Sequence, residues 1–255
     1  MTVNYRIEGQ GNPVVLLHGF LENLHIWDDF SKVLSQNCQV IRIDLPGHGE
    51  TQVSKEIFSM EFMADAVHQV LLRENISEVC IVGHSMGGYV ALAYAEKYPE
   101  NVKGLGLFHS SAACDDAQAL QNRLRSIQLI EKDHTHFMHT FIPDLFTEKN
   151  RNLLKSEIAQ LQKQTALISK ENLIACQKGM LERKDYQNII QNSTIHIMYI
   201  IGKQDPRIKP EKILQQAAQG KTVEILLLED CGHVGFLEAP QESLRFLESF
   251  VQHCF

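Results

Sequence analysis

Six short apolar runs alternate along the chain with stretches of helical pattern, and this alternation constrains the fold more than any other feature. The runs are Val14–Leu17, Val40–Ile43, Val79–Val82, Val102–Phe108, Ile195–Ile201 and Val223–Leu228. Each run is nearly continuous in its apolar character, which is typical of strands buried on both faces of a parallel sheet. Strands that alternate with helices need right-handed crossovers, and these place helices on both faces. We therefore predict an α/β fold with a mostly parallel, doubly wound sheet.

Two stretches depart from this alternation. The segment Val3–Glu8 leads through a turn rich in Gly, Asn and Pro into the first apolar run, which predicts an antiparallel hairpin at the sheet edge. Between residues 112 and 192 the sequence shows several helical patterns but no strand. Because this stretch separates two strand candidates, we predict a core of residues 1–111 and 193–255, with residues 112–192 inserted as a helical cap.

Helix boundaries can also be predicted. Ser59 and Asn23 are typical N-cap residues, and each precedes a helical pattern, at Met60–Arg73 and Leu24–Leu34 respectively. A third helix, Met86–Lys97, follows the apolar run Val79–Val82 and ends just before a Tyr-Pro pair. These three helices occupy the connections that a doubly wound sheet requires.

The composition restricts the class of protein. The chain has 255 residues, of which 44% are hydrophobic and 22% charged, as expected for one globular domain. A formal net charge of -7 argues against nucleic acid or an anionic membrane as the main partner. No apolar run approaches the roughly 20 residues that span a bilayer, and no secretory signal pattern is visible. The six cysteines are scattered without a Cys-x-x-Cys pair, which predicts reduced thiols in a cytoplasmic protein.

The pentapeptide Gly83–Gly87, with the sequence GHSMG, lies between a predicted strand and a predicted helix. In that context a G-x-S-x-G motif places its serine on a sharp, strained turn that lifts the hydroxyl above the sheet. The glycines leave room for the turn to pass neighbouring backbone, and the helix N-terminus favours an anion near the serine oxygen. The motif and its placement predict that Ser85 is a nucleophile.

A serine hydroxyl needs a base, and the base needs a carboxylate that fixes its tautomer. His233 follows the last predicted strand, and Asp205 follows the strand before it. Ligands bind at the carboxyl ends of strands in open α/β sheets, so we predict a triad of Ser85, Asp205 and His233. Asp115 and Asp116, soon after an earlier strand, are alternatives to Asp205.

Backbone N–H groups near the nucleophile predict an oxyanion hole. Phe20 follows His18-Gly19 after the first apolar run, and Met86 follows Ser85 directly. Their amides could converge on a developing oxyanion, where one such donor contributes roughly 3 kcal/mol of transition-state stabilisation. Four further side chains are expected to line a substrate pocket: His109, Trp27, Phe137 and Phe141.

The segment His134–His139 contains three histidines, of which His136 and His139 would share a helix face. Apart from Asp133, no nearby carboxylate has the spacing of a metal ligand. We therefore expect a cap helix that faces solvent or the pocket, and we predict no metal site and no cofactor.

These residues together resemble the α/β-hydrolase superfamily, from Tyr5 to about Ser110 and from Ile195 to the C-terminus. Two further segments are similar to the family: Asp44–Gly49 and Gly235–Pro240. The nearest resemblance is to capped small-molecule esterases, C–C bond hydrolases and cofactor-free haloperoxidase-like members. Since family members often have one more leading strand than this chain offers, we expect a sheet of seven to eight strands.

The resemblance implies acyl transfer to water through an acyl-enzyme on Ser85. Haloalkane dehalogenases and epoxide hydrolases of this superfamily have Asp at the nucleophile position, so Ser85 argues against both. The leading prediction is a serine hydrolase, carboxylesterase-like, that acts on small or medium apolar acyl esters and has neither a nucleic-acid nor a membrane partner.

Two other functions stay open from the sequence. A C–C bond hydrolase or a lyase-type synthase could use the same triad on a charged or enolic substrate. Such enzymes often supply an arginine from the cap, and Arg123, Arg125 and Arg183 are available. A ligand receptor with slow turnover is the second alternative.

Overall fold

In a computed structural model that describes residues 1–255, seven strands form one sheet. The strands are β1 (Tyr5–Glu8), β2 (Asn12–Leu17), β3 (Cys38–Ile43), β4 (Val79–His84), β5 (Val102–Phe108), β6 (His196–Gly202) and β7 (Val223–Leu228). Their order across the sheet is β1-β3-β2-β4-β5-β6-β7. Every neighbouring pair is parallel apart from β1 and β3. The predicted mostly parallel α/β sheet is confirmed, with seven strands.

Burial of the strands follows their position in the sheet. All of β4 is buried, because strands flank it on both sides and helices cover both faces. The edge strand β7 has an equally apolar sequence, yet Ile225 and Leu227 are 41% and 36% exposed. Position in the sheet, and not apolar character alone, therefore decides how deeply a strand residue is buried.

The predicted hairpin at the amino-terminal edge is wrong in its pairing. β1 is an antiparallel edge strand, but Glu8 aligns with Val40, so the partner is β3 and not β2. Both sides of β2 are already occupied by β3 and β4. Positive φ angles of 76° at Gly9 and 109° at Gly11 let the chain turn from the edge back to the centre of the sheet.

Helices fill the connections between the strands. They are α1 (Asp28–Leu34), α2 (Met60–Arg73), α3 (Met86–Lys97), α4 (Ala117–Phe141), α5 (Glu148–Leu153), α6 (Lys155–Thr165), α7 (Lys170–Leu181), α8 (Gln187–Asn192), α9 (Pro210–Ala217), α10 (Gly235–Glu238) and α11 (Pro240–His253). The predicted bounds of α2 and α3 are confirmed, and the Ser59 hydroxyl accepts the N–H of Phe62 at 3.2 Å. In place of one helix over Leu24–Leu34, a 3₁₀ turn over Leu24–Trp27 precedes α1.

Helices α4 to α8 lie in the chain between β5 and β6, which are neighbours in the sheet. No strand occurs in this stretch. Within α4, Asp133 has non-helical angles (φ -159°, ψ 90°), and its carboxylate accepts the N–H of His136 at 2.9 Å. Asp133 thus caps a second helical half, and α4 bends at this residue.

Three residues of the predicted site follow the carboxyl ends of parallel strands. Ser85 comes directly after β4, Asp205 after β6 and His233 after β7. The parallel direction of these strands brings all three to one edge of the sheet. No helix of the structure is both long and apolar enough to cross a membrane.

Replacement of Trp27 tests the packing under this edge. Its indole is fully buried against the rings of Phe30, Phe108 and Phe236, at centroid distances of 5.6, 5.6 and 6.1 Å. We expect Trp27→Ala to lower the free energy of unfolding by about 3–5 kcal/mol, because it leaves a cavity. Urea denaturation followed by circular dichroism measures this loss. Leu72→Ala, at a side chain that is 62% exposed, should change stability by about 0.5 kcal/mol or less, and equal losses in both variants would contradict the packing account.

Candidate active site

Ser85 sits on a strained turn between β4 and α3. Its φ of 50° and ψ of -113° lie in a region that side-chain-bearing residues rarely adopt. A Cβ on Gly87 would lie 2.6 Å from the carbonyl oxygen of His18, and a Cβ on Gly83 would overlap the backbone of Gly87. The Ser85 N–H donates to the Phe108 carbonyl at 2.9 Å and so holds the turn against β5. The two glycines are therefore required by close backbone approach.

The structure brings Ser85, His233 and Asp205 into one hydrogen-bonded line. The Oγ of Ser85 lies 2.8 Å from Nε2 of His233, and Nδ1 of His233 lies 2.7 Å from Oδ2 of Asp205. The side chains of His233 and Asp205 are 5% and 2% exposed. Since Nδ1 faces a carboxylate, it carries the ring proton, and Nε2 is left to accept the proton of the serine hydroxyl.

Asp205 is held as a carboxylate. Its Oδ1 accepts the main-chain N–H groups of Arg207 at 2.7 Å and Ile208 at 2.9 Å. Burial acts to raise the pKa of Asp205, but the interaction with His233 and the hydrogen bond with His109 lower it by more, to well below the usual range. The carboxyl is therefore ionised throughout the physiological pH range.

The alternative acids have other partners. Asp115 forms ion pairs with Arg123 and with Arg183, the latter at 2.6 Å. Asp116 accepts the N–H of Ala119 at 2.9 Å as the N-cap of α4 and pairs with Lys212 at 2.5 Å. Neither carboxylate contacts His233, so the structure brings Asp205 and not these residues to the histidine.

His109 and Trp27, two of the side chains predicted to line a substrate pocket, are both buried. His109 is 2% exposed and has a positive φ of 47°. Its Nε2 accepts the N–H of Gly235 at 3.1 Å, and its Nδ1 lies 3.5 Å from Asp205. Burial lowers the pKa of His109 to about 4, so the ring is neutral. His109 thus supports Asp205 from beneath, while Trp27 lies in the aromatic core.

Neither of the two predicted amide donors has an acceptor within the loop or helix that carries it. Met86 is the first residue of α3, so its N–H has no partner within the helix. Phe20 lies in the loop after β2, and its N–H has no acceptor among the loop hydrogen bonds. The Phe20 ring packs edge-on against Phe141 at 5.9 Å. Phe141 is half-buried, and Phe137 packs beside it at 5.2 Å, with 6% of its surface exposed. The end of α4 therefore covers the loop that carries Phe20.

A buried pair that the sequence analysis missed connects the loops of the site. Oε2 of Glu22 accepts the Gly19 N–H at 2.6 Å and lies 2.9 Å from Nδ1 of His84. The other ring nitrogen of His84 donates to the main-chain carbonyl of His233 at 2.8 Å. Glu22 is 2% exposed and His84 1%. An acidic residue within the apolar stretch after Gly19 was the available signal for this pair.

The pair is charged in the folded protein. Burial acts to raise the pKa of Glu22, but the charge and hydrogen bond of His84 lower it by more. Burial acts to lower the pKa of His84, but Glu22 and the His233 carbonyl raise it by more. A carboxylate and an imidazolium therefore face each other, as expected for a buried pair whose remaining polar atoms have partners.

Three side chains of the site lie close enough together to be compared with a metal centre. Ligand atoms of His109, Asp205 and His233 lie within 4.8 Å of one another. However, the 2.7 Å between His233 and Asp205 is a hydrogen-bond length, whereas two ligands of a tetrahedral zinc ion lie roughly 3.3 Å apart. In α4, His136 and His139 are exposed side chains and belong to no such cluster.

Two features together define the class of this protein. A serine lies on a turn between a strand and a helix, and a histidine and an aspartate follow later strands of the same sheet. Residues 12–240 match the family described as the alpha/beta hydrolase fold, and the chain belongs to this family. The resemblance stated from the sequence is thereby confirmed.

Individual proteins are similar over nearly the whole chain. A thermophilic esterase from Thermogutta terrifontis superposes with a TM-score of 0.93 at 27% identity, covering 99% of this chain and 93% of that one. Lipase 1 of Psychrobacter immobilis is 29% identical over 262 residues, 94% of this chain and 77% of its own. The dihydrolipoyllysine-residue acetyltransferase component of the acetoin cleaving system of Pseudomonas putida is 25% identical over 95% of this chain. The chain spans 64% of that protein, and 33% of three other curated relatives.

Removal of the Glu22 charge tests the buried pair. In Glu22→Gln the His84 imidazolium loses its counter-charge, so we expect the free energy of unfolding to fall by about 3 kcal/mol at pH 6. The pKa of His84 is raised above 6.5, so its contribution is complete below that pH and is lost as the pH rises through the raised pKa. The pKa of Glu22 is lowered, so its contribution is present above pH 4.5 and is lost as the pH falls.

The difference in stability between wild type and Glu22→Gln should therefore be largest between pH 4.5 and 6.5 and smaller at pH 9. Urea denaturation at each pH measures it. Glu131→Gln, at an exposed residue of α4, is the matched control and should show a small difference that does not vary with pH. Parallel pH profiles for the two variants would show that the pair carries no such charge.

Proposed function

We propose that the protein is a serine-dependent hydrolase that cleaves carboxylic esters through an acyl-enzyme on Ser85. The observation that carries the proposal is the line from Ser85 Oγ to His233 Nε2 to Asp205, at 2.8 and 2.7 Å, with the nucleophile on a strained turn. Similarity to a protein named as an esterase and to one named as a lipase supports ester hydrolysis.

In the first half of the proposed reaction, Ser85 Oγ attacks the ester carbonyl while His233 Nε2 accepts the hydroxyl proton. Asp205 stabilises the imidazolium that forms, because its carboxylate faces Nδ1 at 2.7 Å. The oxyanion of the tetrahedral intermediate accepts the N–H groups of Phe20 and Met86. The intermediate collapses when the alcohol leaves with the proton from His233.

In the second half, water takes the place of the alcohol. His233 removes a proton from the water, and the resulting hydroxide attacks the acyl carbon of the Ser85 ester. The oxyanion accepts hydrogen bonds from the same two amides. The carboxylic acid product then leaves as His233 returns a proton to Ser85 Oγ. His233 thus acts twice as a base, in its neutral form, and twice as an acid, as the imidazolium that each base step produces.

The substrate class follows from the side chains near Phe20. Phe141 and Phe137 bring apolar surface from α4 to the oxyanion loop. We infer that small or medium acyl esters, whose carbon chains bind these rings, are the substrates.

All six cysteines are free and five of them are buried, which supports our inference that the protein works in the reducing cytoplasm.

Hydrolysis of p-nitrophenyl acetate and butyrate tests the proposal. We expect turnover by the wild type and a loss of kcat by a factor of about 10³ or more in Ser85→Ala, with only the catalysis from the amide donors remaining. Release of p-nitrophenolate measures both rates. Ser156→Ala, at an exposed serine of α6, is the control and should retain activity.

A fluorophosphonate probe followed by peptide mapping locates the nucleophile independently. The label should appear on Ser85 and should be absent from Ser85→Ala. Label on another residue, or ester turnover that survives the loss of Ser85, would refute the proposed mechanism.

A further inference from the structure

Arg207 carries a guanidinium for which the protein supplies no ion-pair or hydrogen-bond partner. The arginines Arg123 and Arg183, by contrast, share Asp115, with 2.6 Å between Arg183 and that carboxylate. Arg207 is exposed, and only its main-chain N–H is used, as a donor to Asp205 at 2.7 Å. Arg207 is therefore an exposed positive charge two residues along the chain from Asp205, the proposed carboxylate of the triad.

The guanidinium has a defined position. Its central carbon lies 4.2 Å from the centroid of the Phe141 ring, within the range of a cation–π contact. No hydrogen bond or ion pair engages the N–H donors of the guanidinium, so they can meet a ligand. Phe141 thus contacts the side chain of Arg207, while Asp205 holds its main chain.

This position is close to the reacting groups. The ring of Phe141 packs edge-on against Phe20 at 5.9 Å, and the amide of Phe20 is a proposed oxyanion donor. Together the two distances place the guanidinium within about 10 Å of the Phe20 ring. A substrate whose ester carbonyl lies at Ser85 and whose carbon chain runs along Phe20 and Phe141 would therefore end at Arg207.

The carboxylates that act on Arg207 are engaged elsewhere. Burial lowers the pKa of Arg207 from its usual value, and the charges of Asp144 and Asp205 act to raise it. However, Asp144 pairs with Arg151 at 3.3 Å, and Asp205 faces His233 at 2.7 Å. Nothing in the protein neutralises the guanidinium at contact distance, although the net charge of the chain is -7.

We propose that Arg207 binds a carboxylate of the substrate, so that the preferred substrates are esters that carry a second, free carboxylate. Arginine presents two parallel N–H donors that match the two oxygens of a carboxylate. Phe141 would contact both parts of such a substrate, since its ring packs against the guanidinium of Arg207 and against the ring of Phe20. The inference rests on the proposed ester hydrolysis and names its substrate class.

Matched pairs of charged and neutral esters test this specificity. Monomethyl glutarate and monomethyl adipate are compared with methyl pentanoate and methyl hexanoate, for a carboxylate on the acyl side. The butyryl ester of glycolic acid is compared with ethyl butyrate, for a carboxylate on the alcohol side. We expect the wild type to prefer the charged member of at least one pair by about tenfold or more in kcat/KM, as measured in a pH-stat.

Arg207→Gln should lower kcat/KM on the charged esters by about tenfold or more, and on the neutral esters by much less, so that the preference disappears. Circular dichroism shows whether the variant is folded. Arg125→Gln, at an exposed arginine of α4, is the control and should keep the preference. Arg207→Lys should retain part of it, because the charge remains without the planar pair of donors. A wild type without preference, or a preference that survives Arg207→Gln, would overturn the inference and leave ester hydrolysis intact.

Binding without turnover separates this inference from the proposed function. Ser85→Ala is titrated calorimetrically with monomethyl glutarate, and the experiment is repeated with Ser85→Ala/Arg207→Gln. Binding that is lost in the double variant supports the carboxylate site even if no ester is hydrolysed. Absence of binding to Ser85→Ala at millimolar ligand, or equal binding to both variants, would count against Arg207.

Discussion

The geometry of the site depends on one buried pair of charges, Glu22 and His84. Removal of two charges from water costs several kcal/mol for each ion, so such a pair persists only when its other polar atoms also have partners. Here the carboxylate accepts the Gly19 N–H, and the imidazolium donates to the His233 carbonyl. The loops after β2 and β7 and the last residue of β4 therefore share one network. A shift of any of these loops leaves a charge without its partner, so the positions of amide donor, nucleophile and base are coupled.

Much of this edge of the sheet could be predicted from the sequence because its determinants are local. The glycines around Ser85 are forced by close backbone contacts within a single turn, and they leave a recognisable pattern. His233 and Asp205 could be placed because parallel strands end at one edge, which makes chain order sufficient to bring them together. The N-cap at Ser59 and the start of α3 follow from the same kind of local chemistry.

The features that the sequence did not reveal depend on contacts between distant segments. β1 pairs with β3 because both sides of β2 are occupied, and no turn residue encodes that. Trp27 is an amphipathic side chain that suits a pocket wall as well as a core, and its packed aromatic neighbours show that it lies in the core. The partners of Glu22 lie 62 positions away at His84 and three away at Gly19, so neither spacing nor polarity identified the pair in advance.

The helices between β5 and β6 contact the rest of the protein at the loop that carries His233, the proposed catalytic base. The N–H of His233 donates to the carbonyl of Leu145 at 2.8 Å, and the Glu238 carboxylate accepts the N–H of Thr147 and that of Gly232, both at 2.8 Å. Backbone from the inserted segment thus supports the loop that carries the imidazole. This segment is consequently not a detachable module: an exchange of helices α4 to α8 between relatives must preserve the main chain around Leu145 to Thr147, or it will displace His233 as well.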